Sequence, residues 1–309
     1  ASPMSVTVIP FAEGEAQLNW HALCDAIERG HQLPKAEIAD SFLYRDKDTL
    51  LSRSAWVDGL GLAVKSATIF PGNAAKSDPM VNGAVSLFSD DNGMLEAIVD
   101  FHLVTKWKTA GDSLYAAKRL ARPDSRSILI VGAGTVGHAL REAYGVAFPN
   151  ATFFIWNRTL SGAVAFANFY ENTAVAEDLE QAVRAADIVT SATMSADPLL
   201  HGAWFQPGQH IDLIGAYRPD MREADDAALQ RSQVFVDSRD TTVGHIGELK
   251  TPLANGVITE VDILADFYQP EQFIRQSEEA ITLFKNGGGA HLDLMVCRYI
   301  LEQWRKKAP

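Results

Sequence analysis

The sequence predicts an α/β protein that combines a doubly wound parallel sheet with a smaller α+β domain. Its 309 residues are enough for one large or two medium domains. From residue 127 onward, short continuous apolar runs alternate with helical segments, and strands that are apolar on both faces indicate a parallel sheet covered on both sides. Before residue 101 the pattern is mixed, because a helical period is followed by strand-like runs.

The first domain is predicted from its elements in chain order. A helical spacing of apolar residues in NWHALCDAIERGHQL is followed by the strand-like runs TLLSRSAW and GLAVKSATIF. Two further strands, joined by an Asp-Asn-Gly turn, are predicted in GAVSLFSDDNGMLEAIVD. Residues 101–121 have a helical period with Asp100 as N-cap, so this helix leads into the second domain.

The second domain is predicted from apolar runs that alternate with helices. These strand-like runs are SILIVGAG, TFFIWNRT, ADIVTSAT, HIDLIGAY and SQVFVDS. The last segment, LDLMVCRYILEQW, is an amphipathic helix that we expect to return to the first domain. We therefore place residues 1–112 and 288–309 in one domain and residues 113–287 in the other.

The charge balance limits the classes of partner. The chain has 27 basic and 39 acidic residues, a formal net charge of −12, and no block rich in lysine and arginine. Nucleic acid and anionic membranes are therefore not expected as partners. A site for an anionic substrate in such a protein has to concentrate its positive charges locally, so lysines and arginines on apolar strands are candidates.

Cysteine and histidine usage argues against a metal site. Cys24 and Cys297 are far apart and have no ligand spacing, and the eight histidines are scattered, so neither a disulfide framework nor a metal centre is expected. No apolar run reaches the roughly 18–20 residues of a membrane span, and the first residues lack a signal-peptide pattern. A reducing cytoplasmic location is the expectation.

A glycine-rich loop directly follows the run SILIV and opens a helix. The loop contains Gly132, Gly134, Thr135, Val136 and Gly137 in the GxGxxG spacing. The first two glycines allow a tight turn and close approach of a pyrophosphate, the third lets the helix pack on the strand, and the helix N-terminus faces the anion. This strand, loop and helix predict dinucleotide binding by a Rossmann-type sheet.

The next strand predicts which nucleotide is bound. TFFIW ends in Asn157, Arg158 and Thr159, where an NAD-preferring site usually has a carboxylate for the ribose hydroxyls. No carboxylate would repel a 2′-phosphate there, and a guanidinium can pair with it, so NADPH is favoured and NADH is the alternative. The competing interpretation is that Arg158 is a solvated loop residue.

The motifs that extend beyond the glycine loop cover most of the chain. They are GLAVKSATIFPGN (61–73), TKWKTAGDSLYAAKRLA (105–121), ILIVGAGTVG (128–137), IWNRT (155–159), GAYRPDMREADD (215–226), VFVDS (234–238) and AITLFKNGGGAHLDL (280–294). On these stretches the chain resembles the ornithine cyclodeaminase/mu-crystallin family. The resemblance implies a homodimeric pyridine-nucleotide oxidoreductase that acts on amino acids or cyclic imino acids. Residues 1–112 and 288–309 would then form the substrate-binding and dimerisation domain, and 113–287 the NAD(P)-binding Rossmann domain.

The resemblance also implies roles for individual residues. Lys65, at the family's strand lysine, would contact the substrate carboxylate or the reacting nitrogen. Lys108 and Thr109 stand where the family usually has Arg-Thr at the junction of substrate and cofactor, and the lysine replaces a bidentate fork with a point charge. Arg53 is the best local replacement for that fork. Asn286 would sit beside the nicotinamide.

The physical interpretation of these residues is independent of the resemblance. Lys65 lies in an otherwise apolar strand, where a lysine is costly unless it is paired or faces a cavity. Buried lysines lose proton affinity readily, which suits a proton donor. The alternatives are a Lys65 that reaches solvent at a strand end, and solvated side chains for Lys108 and Arg53. Asn73 is a further catalytic candidate that could equally be only a turn former.

The remaining cofactor candidates lie at the ends of the later strands. Ala192 and Thr193 end the run ADIVTSAT, and Ile214 lies in HIDLIGAY. In doubly wound sheets, ligands bind outside the carboxyl ends of the strands. We therefore include these three residues in the predicted nucleotide site.

Tyr217 selects among the reactions of the family. It stands where the resembling cyclodeaminases have an aspartate, and a phenol is a poor general base at neutral pH. The stretch GAYRPDMRE is similar to the branch that contains mu-crystallin and the bacterial ketimine reductases. The expected reaction is reduction of Δ1-pyrroline-2-carboxylate to L-proline and of Δ1-piperideine-2-carboxylate to L-pipecolate.

The expected mechanism follows from charge. NADPH would give hydride to C2 of the imine while Arg53, Lys65 and Lys108 anchor the adjacent carboxylate. Lys65 is the first choice of proton donor, with Tyr217 or water second. The alternatives are an ornithine cyclodeaminase or alanine-dehydrogenase-like enzyme of the same family, and a non-catalytic binding protein like mu-crystallin.

Overall fold

A computed structural model describes residues 5–307 of the chain. The strands are, in order, β1 Thr7–Ile9, β2 Glu37–Arg45, β3 Asp48–Val57, β4 Gly61–Ile69, β5 Val81–Phe88, β6 Leu95–Asp100, β7 Ser127–Val131, β8 Thr152–Trp156, β9 Thr173–Val175, β10 Ile188–Ser191, β11 His210–Leu213, β12 Gln233–Val236, β13 Ile263–Ala265 and β14 Thr282–Lys285. The helices are α1 Phe11–Glu15, α2 Trp20–His31, α3 Phe101–Leu120, α4 Thr135–Ala147, α5 Leu160–Ala167, α6 Leu179–Ala185, α7 Asp226–Arg231, α8 Arg239–Thr242, α9 Gly247–Ala254 and α10 Ala290–Lys306. Short 3₁₀ helices lie at Pro71–Lys76, Gly202–Trp204 and Glu260–Asp262.

The described chain divides into two compact units. Unit 1 takes the described residues up to Lys108 and from Gly288 onward, and unit 2 is Thr109–Gly287. Helix α3 belongs to both units, because the division falls between Lys108 and Thr109.

Unit 1 is built on a six-stranded sheet in the order β1-β6-β5-β4-β3-β2. Its strands are antiparallel except for the pair β1 and β6. Helix α10 packs on β3, β4 and β5 and on helix α2. Alternation along β4 places Lys65 on the same buried face as Ala63 and Ala67, because side chains two residues apart share a face of a strand.

Strand β2 was not predicted from the sequence. It pairs with β3 over its whole length, but all nine of its residues are exposed. A strand that buries neither face has no reason to alternate apolar with polar residues, so the period that identifies half-buried strands is missing. Among its exposed side chains are Phe42, Leu43 and Tyr44.

Unit 2 confirms the predicted doubly wound sheet. Its eight strands lie in the order β13-β12-β14-β11-β10-β7-β8-β9, and every pair is parallel. The chain runs outward from β7 to β8 and β9, and then returns to place β10 on the other side of β7. In open α/β sheets, the carboxyl ends of the strands at such a reversal form the ligand crevice.

Helices α2 and α3 each begin at a capping side chain, and the predicted cap at Asp100 is confirmed. The Asn19 side chain accepts a hydrogen bond from the amide of Ala22 at 3.0 Å, at the start of α2. The Asp100 side chain accepts from the amide of Leu103 at 2.9 Å, at the start of α3. Among residues 5–307, every helix falls short of the length and apolar character that a membrane crossing needs.

Candidate active site

In the glycine loop of unit 2, backbone atoms occupy the space that a side chain on Gly132 or Gly137 would need. Gly132 has φ +108°, and a Cβ there would lie 2.6 Å from the carbonyl oxygen of Ala192. A Cβ on Gly137 would lie 2.2 Å from the carbonyl oxygen of Gly132, so helix α4 can approach β7 only without a side chain there. A Cβ on Gly134 would meet no atom within 4 Å. The space over Gly134 is therefore open, while the turn beneath it is packed.

The N-terminus of α4 faces this open space. Gly134 is its N-cap and supplies no side-chain hydrogen bond, and both Gly134 and Thr135 are exposed. The first amides of a 13-residue helix then carry the positive end of its dipole without a capping side chain. An open glycine cradle at a helix N-terminus fits the pyrophosphate of a dinucleotide.

Asn157 connects the glycine loop to the end of β8. Its side-chain oxygen accepts from the amide of Ala133 at 3.2 Å, and its Nδ2 donates to Oγ1 of Thr159 at 3.0 Å. Thr159 in turn caps α5, because its Oγ1 accepts from the amide of Gly162 at 3.3 Å. Arg158 between them is exposed, and its guanidinium makes no hydrogen bond or ion pair with any residue of the range 5–307. It is therefore free to receive an anion.

Asn286 and Thr109 are brought together in unit 2. The Asn286 Nδ2 donates to the carbonyl oxygen of Thr109 at 2.9 Å and to Oγ of Ser113 at 3.0 Å. The backbone amide of Asn286 donates to the carbonyl oxygen of Leu213 at 3.0 Å. These bonds fix the amide of Asn286 between helix α3 and strand β11.

Ser113 belongs to a buried network that sequence reasoning missed. Its Oγ donates to Asp212 on β11 at 2.9 Å, and the other oxygen of Asp212 accepts from Tyr144 and Thr190, each at 2.8 Å. Burial raises the pKa of Asp212 to about 6, although these three hydroxyl donors oppose the shift. The network orients Ser113, and through it Asn286.

Glu223 joins the two loops that follow β10 and β11. It is fully buried. One carboxylate oxygen accepts from the amide of Thr193 at 2.8 Å, from its hydroxyl at 2.7 Å, and from the hydroxyl of Ser191. The other oxygen accepts from the amide of Gly215 at 2.7 Å. Thr193 was predicted to bind nucleotide, whereas Glu223 was not identified from the sequence.

Gly215 lets two backbone segments of unit 2 pack closely. A Cβ on this residue would lie 1.8 Å from the carbonyl oxygen of Thr193. The missing side chain lets the loop after β11 pack against the loop after β10. Ala192, Thr193 and Ile214 are half-buried at the carboxyl ends of these two strands.

Two further buried charges accompany Glu223. The Glu248 carboxylate accepts from the amides of Glu223 at 2.9 Å and Ala224 at 3.0 Å, and Lys285 Nζ donates to the carbonyl oxygen of Leu213 at 3.1 Å. We call Glu223, Glu248 and Lys285 the glutamate cluster. Burial, and secondly the charge of Glu248, raise the pKa of Glu223 to about 7, while Lys285 opposes the shift. Burial lowers the pKa of Lys285, and the charges of Glu248 and Glu223 oppose that shift.

Unit 1 contains a buried charge cluster of the opposite proportions, with two lysines and one carboxylate. Lys65 Nζ lies 3.2 Å and Lys108 Nζ 3.1 Å from the same oxygen of Asp293 on α10. Lys65 and Lys108 are each 5% exposed and Asp293 is 1% exposed. We call these three residues the lysine cluster. Two buried ammonium groups share one carboxylate, so the cluster has an excess of positive charge.

The charges of the lysine cluster shift one another's proton affinity. Burial, and secondly the positive charge of Lys108, lower the pKa of Lys65 to about 7, while Asp293 opposes the shift. Burial would raise the pKa of Asp293, but the charges of Lys108 and Lys65 hold it below its usual value. The ammonium of Lys65 also lies 5.5 Å from the centroid of the Phe101 ring. Lys65 is thus a buried amine that exchanges its proton near neutral pH.

Arg53 lies beside this cluster without entering it. Register pairs Arg53 on β3 directly with Lys65 on β4. Its guanidinium is a bidentate partner of Asp40, with Nε to Oδ1 at 3.1 Å and a terminal nitrogen to Oδ2 at 3.3 Å. The sequence grouped Arg53 with Lys65 and Lys108. The structure brings the two lysines together on Asp293, and Arg53 acts on them through its field.

Asn73 and Tyr217 each make a local contact within their own unit. Asn73 is in the 3₁₀ helix Pro71–Lys76, and its Nδ2 donates to the carbonyl oxygen of Pro79 at 3.0 Å, as expected of a turn former. Tyr217 is 60% exposed, and its ring centroid lies 5.6 Å from the guanidinium carbon of Arg218. Their catalytic roles stay predictions.

Asp293 is the residue of the lysine cluster that sequence reasoning missed. A signal was present, because Ala290, Val296 and Cys297 at helical spacing put this residue on an apolar helix face, where an aspartate is costly unless paired. Its partner Lys65 is 228 residues away in the chain, so local pattern could not identify the pair.

A doubly wound sheet with a glycine loop beside its reversal point is the architecture of dinucleotide-dependent oxidoreductases, and the chain is an enzyme of that class. The family model for the ornithine cyclodeaminase/mu-crystallin family matches residues 54–308. The chain therefore belongs to that family.

Relatives that match nearly the whole chain are known. The chain is 49% identical over 300 residues to the Δ1-pyrroline-2-carboxylate reductase of Paracoccus denitrificans, which covers 94% of this chain and 95% of that protein. It superposes with a TM-score of 0.87 and 25% identity on Thermococcus litoralis Δ1-pyrroline-2-carboxylate reductase in complex with NADH and L-proline, covering 97% of this chain and 98% of that one. An archaeal alanine dehydrogenase dimer with bound NAD gives a TM-score of 0.88 at 26% identity, covering 98% of this chain and 97% of that one.

Proposed function

We propose that this enzyme reduces Δ1-pyrroline-2-carboxylate to L-proline with NADPH, and Δ1-piperideine-2-carboxylate to L-pipecolate in the same site. The observation that carries the proposal is the lysine cluster, in which two buried ammonium groups share a single carboxylate. The names of the Paracoccus and Thermococcus relatives support the same substrate.

The lysine cluster has the charge and the donors to bind a carboxylate. An ammonium group carries three N–H donors, and Asp293 is the carboxylate that pairs with both lysines within residues 5–307. In a protein of net charge −12, this buried excess of positive charge meets the need for a local cation site. A substrate carboxylate bound to Lys108 and Lys65 would neutralise the excess, with Arg53 adding to the attractive field.

Lys65 supplies the proton in this mechanism. Its pKa of about 7 means that protonated and neutral forms are both populated at neutral pH, as a general acid requires. The proton moves from Lys65 Nζ to the imine nitrogen, a new N–H bond forms there, and the neutral amine of Lys65 regains a proton from solvent. The chemistry that bound dihydronicotinamide supplies is a hydride for C2 of the imine. Asp293 keeps both lysines in place throughout.

The nucleotide would be held by unit 2. The open cradle at Gly134 and the N-terminus of α4 suit the pyrophosphate, and the exposed guanidinium of Arg158 suits a 2′-phosphate. The end of β8 offers Asn157 and Thr159 rather than a carboxylate, which supports a preference for NADPH over NADH. The other proposed nucleotide contacts are Lys108, Thr109, Gly132, Thr135, Val136, Gly137, Ala192, Thr193, Ile214 and Asn286.

The test is nucleotide oxidation with each imine, run with NADPH and with NADH. We expect turnover with Δ1-pyrroline-2-carboxylate, faster at low concentrations of NADPH than of NADH. One ring methylene is worth only about 1–3 kcal/mol in an apolar pocket, so the six-membered imine should also react. Flat traces in every combination would contradict the proposal and favour a non-catalytic binding protein.

The likeness to alanine dehydrogenase favours a second candidate, an amino-acid dehydrogenase. Pyruvate and ammonium with NADPH or NADH would reveal it. Ornithine cyclodeamination is disfavoured by Tyr217, because an exposed phenol offers no carboxylate for that chemistry. Ammonia release from ornithine in the presence of oxidised nucleotide would contradict this assignment.

A homodimer is part of the proposal. One face of the sheet of unit 1 exposes Leu43, Leu50 and Trp56 on β2 and β3, and exposed apolar side chains on a sheet face mark association surfaces. Light scattering should give twice the mass of one chain. Replacing Leu43 and Leu50 by aspartate should yield the single-chain mass if this face is the interface.

A further inference from the structure

The loops after β10 and β11 border the crevice at the reversal of the sheet. Strand β10 lies between β7, which carries the glycine loop, and β11. A Cβ on Gly132 would meet the carbonyl oxygen of Ala192, so the loop after β10 touches the glycine loop directly. Any shift of this loop therefore changes the wall of the nucleotide cradle.

A single buried carboxylate connects these loops. Glu223 accepts two hydrogen bonds from Thr193 and one from Ser191 on the β10 side, and one from Gly215 on the β11 side. The backbone amides of Thr193 and Gly215 can only donate, and the hydroxyls of Ser191 and Thr193 donate in the same arrangement. The ionised carboxylate therefore satisfies all four hydrogen bonds. Glu223 touches neither Gly134 nor Arg158, which are the positions proposed to receive phosphate.

Glu248 on helix α9 holds the backbone segment that carries Glu223. The Glu248 side chain accepts from the backbone amides of Glu223 and Ala224, so the chain segment that carries Glu223 cannot turn away freely. Lys285 offsets part of the buried negative charge. Glu248 thus holds the backbone at Glu223, and both carboxylate oxygens of Glu223 accept hydrogen bonds from the two loops. We call this arrangement the Glu223 clamp.

We propose that Glu223 is a positioning residue for nicotinamide-nucleotide binding, acting through Thr193 and Gly215 to hold the two crevice loops in one arrangement. This role rests on the proposed function, because it presupposes that the nucleotide occupies the crevice. Glu223 sets the arrangement of groups that touch the nucleotide, and it contacts neither nucleotide nor substrate itself.

Glu223→Gln breaks the Glu223 clamp with almost no change of shape. A glutamine offers one acceptor oxygen, so its NH₂ group must face either the amide of Gly215 or the donors of Ser191 and Thr193. In either orientation, the donors of one loop then face the NH₂ group of the glutamine instead of an acceptor oxygen. We expect the dissociation constant for NADPH to rise about tenfold, the effect of losing one hydrogen bond to a charged group.

Asp187 provides a matched control at the opposite end of the same sheet. Its carboxylate accepts from the amides of Arg126 at 2.7 Å and Ser127 at 3.1 Å and pairs with Arg122 at 3.1 Å. It joins backbone at the amino ends of β7 and β10, away from the crevice. Asp187→Asn should therefore lower the melting temperature and leave the dissociation constant for NADPH unchanged.

The experiment measures NADPH and NADH binding by nucleotide fluorescence, and hydrogen exchange of the nucleotide-free protein, in wild type, Glu223→Gln and Asp187→Asn. The expected result is faster exchange in the segments that contain Thr193 and Gly215, together with weaker nucleotide binding, in Glu223→Gln alone. Ser191→Ala removes one donor to the carboxylate and covers the case in which Glu223→Gln does not fold, with an expected loss of about threefold.

The outcomes separate this inference from the proposed function. Faster exchange with unchanged nucleotide affinity would make Glu223 merely structural and overturn the inference, as would unchanged affinity in Ser191→Ala if Glu223→Gln does not fold. Wild-type protein that binds neither NADPH nor NADH would overturn both. Wild-type protein that binds nucleotide but reduces neither imine would overturn the substrate assignment and leave the test of Glu223 valid.

Discussion

The two units contain buried lysine and carboxylate groups in opposite proportions. The lysine cluster of unit 1 has two lysines and one aspartate, and the glutamate cluster of unit 2 has two glutamates and one lysine. Both are almost fully removed from solvent. They differ in the sign of the excess charge and in how completely their carboxylates are hydrogen-bonded.

The hydrogen bonding of the two clusters distinguishes a site that can bind a ligand from a group that holds two loops in place. Both oxygens of Glu223, and the carboxylate of Glu248, accept from loop or backbone donors.

In the lysine cluster, Lys65 and Lys108 share one oxygen of a single carboxylate, so two ammonium groups have more N–H donors than Asp293 accepts. Lys285 also has N–H donors beyond its bond to the carbonyl oxygen of Leu213, but it lies among two glutamates, so its cluster has no excess of positive charge. A buried group with unused capacity is costly unless a ligand completes it, whereas a saturated group stabilises the fold as it stands.

The largest expected effect is on the chemistry of the lysine cluster. Lys65→Met should lower kcat for imine reduction by about 10²–10⁴-fold, because a positioned general acid contributes that much. The fold should be kept, since Asp293 retains Lys108 as its partner. Nucleotide oxidation measures the first effect and urea unfolding the second. Full turnover in this variant would contradict the role of Lys65.

The same substitution in the glutamate cluster should have the opposite outcome. Lys285→Met removes the buried cation whose charge offsets those of Glu223 and Glu248, and leaving buried charge uncompensated costs up to about 3–5 kcal/mol. The free energy of unfolding should fall accordingly, as measured by urea denaturation. If the stability of Lys285→Met matched that of Lys65→Met, the contrast between the two clusters would be lost.

A smaller effect is expected at an exposed cation. Arg158→Ala should weaken NADPH binding by about tenfold and leave NADH binding unchanged, because only the 2′-phosphate distinguishes the two nucleotides. Titration of wild type and variant with both nucleotides measures the preference, and Arg218→Ala is a control for loss of an exposed guanidinium. An unchanged preference would contradict the assignment of NADPH.

The sequence was sufficient for the parallel sheet and for the two lysines of the lysine cluster, whereas it identified no member of the glutamate cluster. The strands of unit 2 are apolar on both faces and the glycine loop follows its strand, so local pattern carries the fold. Lys65 was identified because a lysine is anomalous in an apolar strand. Strand β2 was missed because it buries neither face.

The remaining site residues required the three-dimensional structure. Asp293 meets Lys65 across 228 residues of chain, and no local period reports such a pair. Glu223 lies in the polar stretch RPDMREAD, where a buried glutamate looks like its solvated neighbours. Arg53 was grouped with the lysines because the resemblance made it the best local replacement for the missing arginine fork, whereas its guanidinium is held by Asp40.

The most direct test of the lysine cluster is the pH dependence of kcat/KM for Δ1-pyrroline-2-carboxylate in wild type, Asp293→Asn and Lys108→Met. Lys65 donates only when protonated, so activity should fall as pH rises through its pKa of about 7. The charge of Asp293 raises this pKa and that of Lys108 lowers it. Because the substrate is the same throughout, differences between variants report on the protein.

The two substitutions should move the midpoint of this pH dependence in opposite directions. Asp293→Asn should shift it to lower pH and Lys108→Met to higher pH, whatever each does to the maximal rate. Midpoints that stay at the wild-type value, or that move in the same direction, would contradict the claim that Lys65 donates the proton from within this cluster.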